Sequence, residues 1–541
     1  MVRTRRYPIR RCAASMISVV GAALCLALLA SAGTASAGRA AAPAVHDVGS
    51  SGVWGKASPV PGLAKLNVGG SATLFSVSCT SPGNCSAGGY FGAASDDQNV
   101  TRGFIVSQHN GRWLHAFPIP GAPVPPITHR PPGTHTETGL SGVLVMKGTA
   151  IRARGESPGR PESLDSLSSQ ILSISCPVPG SCAAGGDYTD FAGDRLSLVL
   201  SQRHGKWTDA IQVPGTAALG DEDGQTVAVS CGAAGSCAAG GAYAPGFTDH
   251  RAFVASMLGG IWRNALEVPG TQSLNTGHDA WILSESCASA GNCTAGGFYA
   301  LSQVSFSAFL VSQRNGTWGK AFKIPGLASL NGGKDAIVYS VSCPAAGDCA
   351  AGGFYRKSSG RYAAYVIDER HGKWGTARTV LGTSSPAISG VAAGAAVDSL
   401  SCATGGNCTA GGYRTSHGKT QAFVVTERNG HWGKSLVVPG TAVLNGGGLA
   451  QVIAVSCASP GDCASGGYYT TQRGHSQAFL INERRGKWGM AFEVAGTKAL
   501  NRGGEAAVND VSCTRPGRCS AVGFFAQTSH TFQAFVVTET R

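Results

Sequence analysis

Sixteen cysteines in eight pairs of identical spacing constrain this 541-residue chain more than any other feature. Each pair reads Cys-x5-Cys: Cys79/Cys85, Cys176/Cys182, Cys231/Cys237, Cys287/Cys293, Cys343/Cys349, Cys402/Cys408, Cys457/Cys463 and Cys513/Cys519. Successive pairs begin 55 to 59 residues apart, except for a first interval of 97. A period of this length marks an array or a closed ring of repeats. In an exported chain, an even number of cysteines in short local pairs reads as a disulfide framework. Isolated two-thiolate pairs without a nearby His do not make a four-ligand zinc site. Neither a metal site nor a cofactor is expected.

One unit can be followed from Val455. "VSC" is a short strand, "ASPGD" a tight turn and "CASGGYY" a second strand. After the polar "TTQRGHS", "QAFLINE" is a third strand. "RRGKW" holds a Gly turn, and "WGMAFEVAG" is a fourth strand. Four short strands joined by turn signals form an antiparallel meander. No segment sustains a helical period.

The two ends of the chain are offset by one strand. The last unit stops at "QAFVVTETR", after its third strand, while a lone fourth strand stands near the start, from Trp54 to Gly62. A ring closed by its own first strand needs this offset. An open solenoid would want polar caps instead. The expected fold is therefore all-β: an eight-bladed β-propeller of four-stranded antiparallel blades, with the N-terminal strand completing the last blade.

A Gly-Gly pair followed 21 positions later by Trp (Gly467 to Trp488) resembles kelch repeats. The turn "SQRNGTW" from Ser312 to Trp318 resembles the Asp-box hairpin of sialidase-like propellers, which joins the third and fourth strands. The resemblance covers residues 54–541 and implies a propeller fold. The Asp of the Asp-box is absent from every copy, and the kelch fourth-strand Arg is not evident, so the family chemistry does not carry over.

Residues 1–37 read as a secretory signal peptide, with Arg3, Arg5, Arg6, Arg10 and Arg11, an apolar run from Met16 to Ala30, and cleavage after Ala37. Thr4-Arg5-Arg6 also resembles a twin-arginine signal, with Pro8 where an apolar residue is expected. Residues 38–53 read as a flexible start, and 54–541 as one domain carrying a Pro-rich insertion at about 122–168. The net charge of +13 includes five leader arginines and no leader acid, leaving +8 for the mature chain. Without a basic block, nucleic acid is not an expected partner. No mature segment is apolar enough to span a membrane, and a secreted monomer is expected.

The Cys pair is expected to pin the hairpin between strands one and two, at about 2 kcal/mol per bridge in a loop-closure model. The Gly pairs permit close approach, and Val522-Gly523 in the last unit marks the second glycine as the stricter requirement. Trp54, Trp113, Trp207, Trp262, Trp318, Trp374, Trp432 and Trp488 should pack between blades, with Trp281 outside this register. Ser76/Ser78, Ser284/Ser286 and Ser340/Ser342 read as small residues near a narrow axis. His204, His371 and His431 read as solvated hairpin tips.

Meander topology puts the disulfide turns and the N-G turns on one face. The two-to-three loops and the blade connections lie on the other, more variable face, where functional loops tend to lie. A ligand-binding face is accordingly expected there, from Tyr90, Tyr188, Tyr243, Tyr299, Tyr355, Tyr413 and Tyr469 with the connection residues Asn67, Asn275, Asn331, Asn445 and Asn501. Core aromatics and turn-forming Asn are the alternative reading. The expected function is an extracellular binding module for a glycan, a cell-wall polymer or a protein. A carbohydrate-active hydrolase or lyase is the alternative, but the near-axis acids Asp398, Glu285 and Asp510 stand at different offsets, and no catalytic constellation can be assigned.

Overall fold

The computed structural model describes residues 53–93, 100–121, 168–190, 192–246, 248–333, 335–383 and 394–540. The expected leader, residues 38–52 and the expected insertion up to residue 167 lie outside them. The described chain forms eight antiparallel sheets arranged as a β-propeller. Their first strands are Ala72–Ser81, Ser168–Val178, Gln225–Ala233, Ala280–Ser289, Ala336–Ala345, Ala395–Thr404, Ala450–Ser459 and Ala506–Arg515, which define blades one to eight. The fourth strand is broken into two short pieces, both paired with the third; in blade four these are Thr317–Trp318 and Phe322–Lys323. The ring closes as the strand offset requires. Val53–Trp54 and Ser58–Pro59 pair with the last strand, Thr531–Thr540, with Trp54 opposite Glu539.

All eight disulfides form, with Cα atoms 3.9 to 4.1 Å apart across the hairpin of strands one and two. They do more than pin their own hairpins, the one role expected of them. The second cysteine of every pair, Cys85, Cys182, Cys237, Cys293, Cys349, Cys408, Cys463 and Cys519, is buried, at 2 to 5% exposure. The reason is the seam between blades, where a hydroxyl of the preceding blade closes on the sulfur. Ser520 Oγ stands 3.5 Å from Cys85 Sγ, Ser86 Oγ 3.9 Å from Cys182, Thr294 Oγ1 3.6 Å from Cys349 and Thr409 Oγ1 3.5 Å from Cys463. Cys237 and Cys519 belong to the apolar clusters of blades three and eight. These cysteines are therefore core residues as well as staples.

The disulfide turn and the N-G turn share one face and are tied by a backbone bond, such as Gly316 N–H to Gly291 O at 2.9 Å. The N-G turns hold Asn110, His204, Asn315, His371, Asn429 and Arg485 at φ of 48° to 50°, each followed by a positive-φ glycine. Two-residue hairpins of this twist require such residues.

The serines do more than fit a narrow space. The Oγ of Ser78 accepts the backbone N–H of Cys176 in the next blade at 2.9 Å. The same bond recurs from every blade to its successor and returns from Ser512 to Cys79 at 3.0 Å. A second ring runs one step along the strand, through Ser76, Ser173, Ser284, Ser340 and Ser399. In blade eight Asp510 takes the serine's place, its Oδ2 accepting Val77 N–H at 2.8 Å. Each such bond is worth roughly 0.5–1.5 kcal/mol net.

Farther out, a ring is fully buried on the third strand of seven blades, Phe104, Phe253, Phe309, Tyr365, Phe423, Phe479 and Phe535, and Leu198 takes its place in blade two. Trp indoles cross to the preceding blade, as in Trp262 Nε1 to Ser201 Oγ at 3.1 Å and Trp54 Nε1 to Asn482 Oδ1 at 3.1 Å. Buried Glu369, Glu427, Glu483 and Glu539 are each met by an Arg from the preceding blade: Arg314, Arg370, Arg428 and Arg484. Where the Arg is missing, the acid is missing too: Thr540 of blade eight precedes Gln108 of blade one, and Leu258 of blade three precedes Gln313 of blade four. This compensation is visible in the sequence only when each repeat is compared with its successor.

The two glycines of each pair serve different neighbours. A Cβ on the second, as at Gly467, would run into the Gln451 carbonyl of the same blade's first strand, where a β-bulge turns that carbonyl inward. A Cβ on the first, Gly466, would meet side chains, chiefly Val508 of the next blade. Side chains repack and a bulge carbonyl does not, which explains Val522 in the last blade. Gly467→Ala should cost about 3 kcal/mol or more, and Gly466→Ala clearly less, measured by thermal or denaturant unfolding.

The second serine ring is also interrupted at Ala228, and the following blade carries Glu285 one residue beyond the ring position. Its position in the other blades is held by Val77, Ile174, Val229, Val341, Leu400, Val455 and Val511. Glu285 is 9% exposed, neither carboxylate oxygen has a partner among the described residues, and burial raises its pKa well above the ordinary value. It lies close to Cys287 and Cys293, but their sulfurs are joined in a disulfide and are not thiolate ligands. Glu285→Val should stabilise the protein by about 1 kcal/mol or more at neutral pH, read as a raised melting temperature.

Candidate functional site

Each first strand carries its bulge near the end remote from the disulfide, between the partners of the two glycines. Two sets of side chains meet there. One is the residue following the second glycine: Tyr90, Asp187, Ala242, Phe298, Phe354, Tyr413, Tyr468 and Phe524. The other is the extra residue of the bulge, among them Phe75, Tyr339, Asp398 and Asn509. The first strands contact one another around the ring, so these residues form a collar at one axial mouth.

From blade four to blade seven the collar is aromatic. Ring centroids step from Phe298 to Phe306 at 5.8 Å, to Phe354 at 6.3 Å, and on to Tyr362 at 5.0 Å and Tyr339 at 5.5 Å. Tyr413 and Tyr468 continue the arc around Asp398. Gln451 Nε2 donates to Asp398 Oδ2 at 2.8 Å, and Tyr468 donates to Gln451 Oε1 at 3.3 Å. Phe354, Tyr339, Tyr413 and Tyr468 are all partly exposed, and Tyr362 is 39% exposed. Burial pushes the Asp398 carboxyl up to about 8, so it is a neutral acid at pH 7. Burial also raises the phenols of Tyr339 and Tyr413, and that of Tyr468 to about 12, which keeps all three as hydrogen-bond donors.

The opposite side of the collar is polar. Asp187 of blade two takes amide N–H groups from Gln170 at 2.9 Å and Gln225 at 2.5 Å, and burial raises its pKa. Outside it, Asp223 pairs with Arg195 at 2.7 Å and with His250 at 3.3 Å. His250 also faces Asp279 at 3.7 Å and stacks obliquely on Trp281, whose Nε1 donates to Asp279 at 2.7 Å. The off-register Trp281, 0% exposed, thus anchors a network that ties together three neighbouring loops. Sequence reasoning missed this network, because its members lie outside the repeat's recurrent positions.

The structure divides the residues expected on the binding face. Tyr90 and Tyr413 stand in the collar and are partly exposed. Tyr188, Tyr243, Tyr299, Tyr355 and Tyr469 lie one residue later, on the other side of the sheet, and are buried. The phenols of Tyr243, Tyr355 and Tyr469 bond Glu267, Thr379 and Glu493 on the fourth strand. Asn67, Asn275, Asn331, Asn445 and Asn501 are buried at the blade connections. Four of them donate to a third-strand or adjoining carbonyl of the preceding blade, as Asn67 does to Phe532 O at 2.9 Å. Of the three near-axis acids, Asp398 is in the collar, Asp510 completes the serine ring with a pKa raised to about 6 by burial, and Glu285 is in the apolar seam.

No protein-family profile matches this chain, and no curated protein matches it. Among solved structures it is similar to Sqt1 from Chaetomium thermophilum, at 11% identity over 86% of this chain and 95% of that one, with a TM-score of 0.45. It is similar to an ulvan lyase of polysaccharide lyase family PL25 at 10% identity, over 66% and 90%, with a TM-score of 0.39. It is also similar to the GH74 xyloglucanase from Xanthomonas campestris at 10% identity, over 87% and 59%, with a TM-score of 0.41. Likenesses this distant carry no chemical argument.

A neutral Asp398 has a signature in stability. Its carboxyl ionises near 3.8 when unfolded and near 8 when folded. Between those values the folded state holds the extra proton, so its contribution to stability is complete below pH 4 and is lost as pH rises toward 8. Asp398→Asn should match the wild type near pH 4 and exceed it increasingly toward pH 8, by about 1 kcal/mol for each pH unit crossed, in melts run across that range.

Proposed function

We propose that this chain is exported and acts outside the cell as a binding module, with a glycan or cell-wall polymer docking on the aromatic arc of the axial mouth. The observation that carries this reading is the run of partly exposed rings from Phe306 to Tyr468, interrupted by a neutral carboxyl and an amide. Sugar rings present apolar C–H faces edged by hydroxyls, and a surface of flat rings with interspersed neutral donors and acceptors complements both. Export accords with eight disulfides, with the basic, apolar and small-residue leader, and with the lack of a long apolar helix among the described residues.

Binding is favoured over turnover by the surroundings of Asp398. A neutral carboxyl could serve as a general acid, but a glycosidase also needs a second carboxylate as base or nucleophile. Burial and Gln451 set the state of Asp398, with no second carboxylate among its influences. The mature protein should retain particular glycans on an array and release them chemically unchanged. Tyr413→Ala and Tyr468→Ala should each weaken retention about tenfold. Undiminished binding by both variants, or bond cleavage abolished by Asp398→Asn, would defeat this reading.

A further inference from the structure

The disulfide face carries its charge unevenly. In its disulfide turns and N-G turns, every mostly exposed charged side chain is a Lys or Arg. The acids Asp348 and Asp462 are half-buried there, each turning an oxygen to the backbone N–H of His371 or Arg485, at 3.1 and 3.2 Å. Arg314, Arg370, Arg428 and Arg484 pair with the buried glutamates of the seams. The other Lys and Arg of these turns make no ion pair among the described residues. Lys373 of blade five stands by itself. The rest are Arg485 and Lys487 of blade seven, Arg515 and Arg518 of blade eight, Arg112 of blade one, and Arg203 and Lys206 of blade two. These four blades are consecutive around the ring, since blade eight bonds to blade one from Ser512 to Cys79. The unpaired cations are therefore gathered on one arc, although they are scattered along the sequence.

Blade eight shows how the arc arises. In five blades the residue before the second cysteine is an Asn or Asp that accepts the N–H inside the N-G turn of its own blade, as Asn84 does from Asn110 at 3.2 Å. Blade eight has no such turn, because its third strand ends at Thr540, opposite Val53 from the other end of the fold. With no donor to satisfy, Arg518 holds the position, directly across the ladder from Arg515. Like charges set opposite each other are destabilising. Glu539, the buried acid of this blade, is already held by Arg484 at 2.5 Å and Asn482 at 2.8 Å. Elsewhere the hairpin tip of one blade faces the disulfide turn of the next, as Arg428 and Asn429 face Pro460 and Gly461 across one cleft. By the same geometry Arg485 of blade seven faces the turn that carries Arg515.

Arginine supplies most of the arc, and its planar fork makes two parallel hydrogen bonds to a carboxylate or sulfate. Opposed guanidiniums without a carboxylate between them are relieved by an anion from outside. A row of them across four blades suits a chain of anions rather than a single one. Surfaces that bind single-stranded nucleic acid interleave cations with aromatic rings on which bases stack. Here no Phe, Tyr or Trp is mostly exposed; among the described residues Tyr362, in the collar, is the only one that is. We propose that this arc binds a linear acidic polysaccharide, whose carboxylates or sulfates bridge Arg515 and Arg518 and extend to Arg485 and Arg112. It is a second site, on the face opposite the aromatic collar, and it does not depend on the reading given to the collar.

Calorimetric titration of the mature protein at low salt with heparin, polygalacturonate, neutral dextran and duplex DNA tests this. Heparin or polygalacturonate should bind, with an affinity that falls as salt is added, and dextran should not. Arg518→Asn, which places there the residue of blades one, four and six, should weaken that binding about fivefold. Its melting temperature should hold or rise, since the like-charge pair is removed. Lys373→Gln removes an equal charge outside the arc and should change the affinity by less than about twofold. Tyr413→Ala in the collar should leave it unchanged, so failure at one site is distinguishable from failure at the other. The proposal falls if neither acidic polysaccharide binds, or if Arg518→Asn binds as the wild type does. It also falls if Lys373→Gln weakens binding as much as Arg518→Asn, or if duplex DNA binds as tightly as the polysaccharides.

Discussion

The fold depends on a hydrogen bond between neighbouring blades: a serine hydroxyl of one first strand accepting the backbone N–H of a cysteine in the next. Neighbouring first strands around the axis share no β-ladder: each is the end strand of its own sheet, paired along one edge with its own blade's second strand. Backbone donors facing the seam would otherwise be buried without partners, which is costly. A two-atom side chain that reaches across and accepts is the smallest solution, and it works only if the strands are held close. The disulfide at the same cysteine and the glycines opposite the bulge keep them close. Asp510 shows the same requirement met by other means. Following Ala454, its Oδ1 takes the Val511 N–H while its Oδ2 takes Val77 of blade one, so one carboxylate serves two donors.

Much of this architecture is legible in the sequence. The cysteine period, the strand-and-turn pattern and the offset of Trp54 from the last unit together specify eight closed blades, and each rests on local spacing. The second glycine's stricter role was also legible, from the single exception Val522-Gly523. The cysteines and serines were half legible. Pairing within a hairpin follows from the spacing, but the burial of Cys85 against Ser520 or of Cys349 against Thr294 depends on the neighbouring blade. Likewise the serines' size fits the inner strands, but their hydroxyls bond to residues 56 to 60 positions away in most blades, a relation no local pattern announces. The single helical turns in the blade connections, such as Thr441–Leu444 behind Gly440 at φ 87°, are too short to register as a period.

The site was less legible for a related reason. Two consecutive aromatics at the end of strand two look equivalent in sequence, yet a strand sends them to opposite faces. Tyr468 thus reaches the collar while Tyr469 is buried beneath it. The collar's chemistry depends further on the bulge, which adds Tyr339 and Asp398 beside the strand-two row. The network around His250 draws on loop residues that have no counterparts in other repeats. Regularity makes the scaffold readable, and function resides where regularity lapses: Asp398, Gln451, Arg518 and Trp281 are each departures from the repeat.

The pairing of Trp54 with Glu539 has a consequence for how the molecule comes to exist. Those residues are separated by nearly the whole described chain, and the strand that completes blade eight is the first of the fold to be synthesised. Seven blades can close their sheets from contiguous sequence, whereas the eighth must wait for the C-terminal strand to emerge. Until then the opening strand is an unpaired edge beside an open ring, and loop closure over such a span is slow. Assembly therefore divides into fast local events, eight hairpins each locked by its own disulfide, and one late global event that turns an arc of blades into a ring.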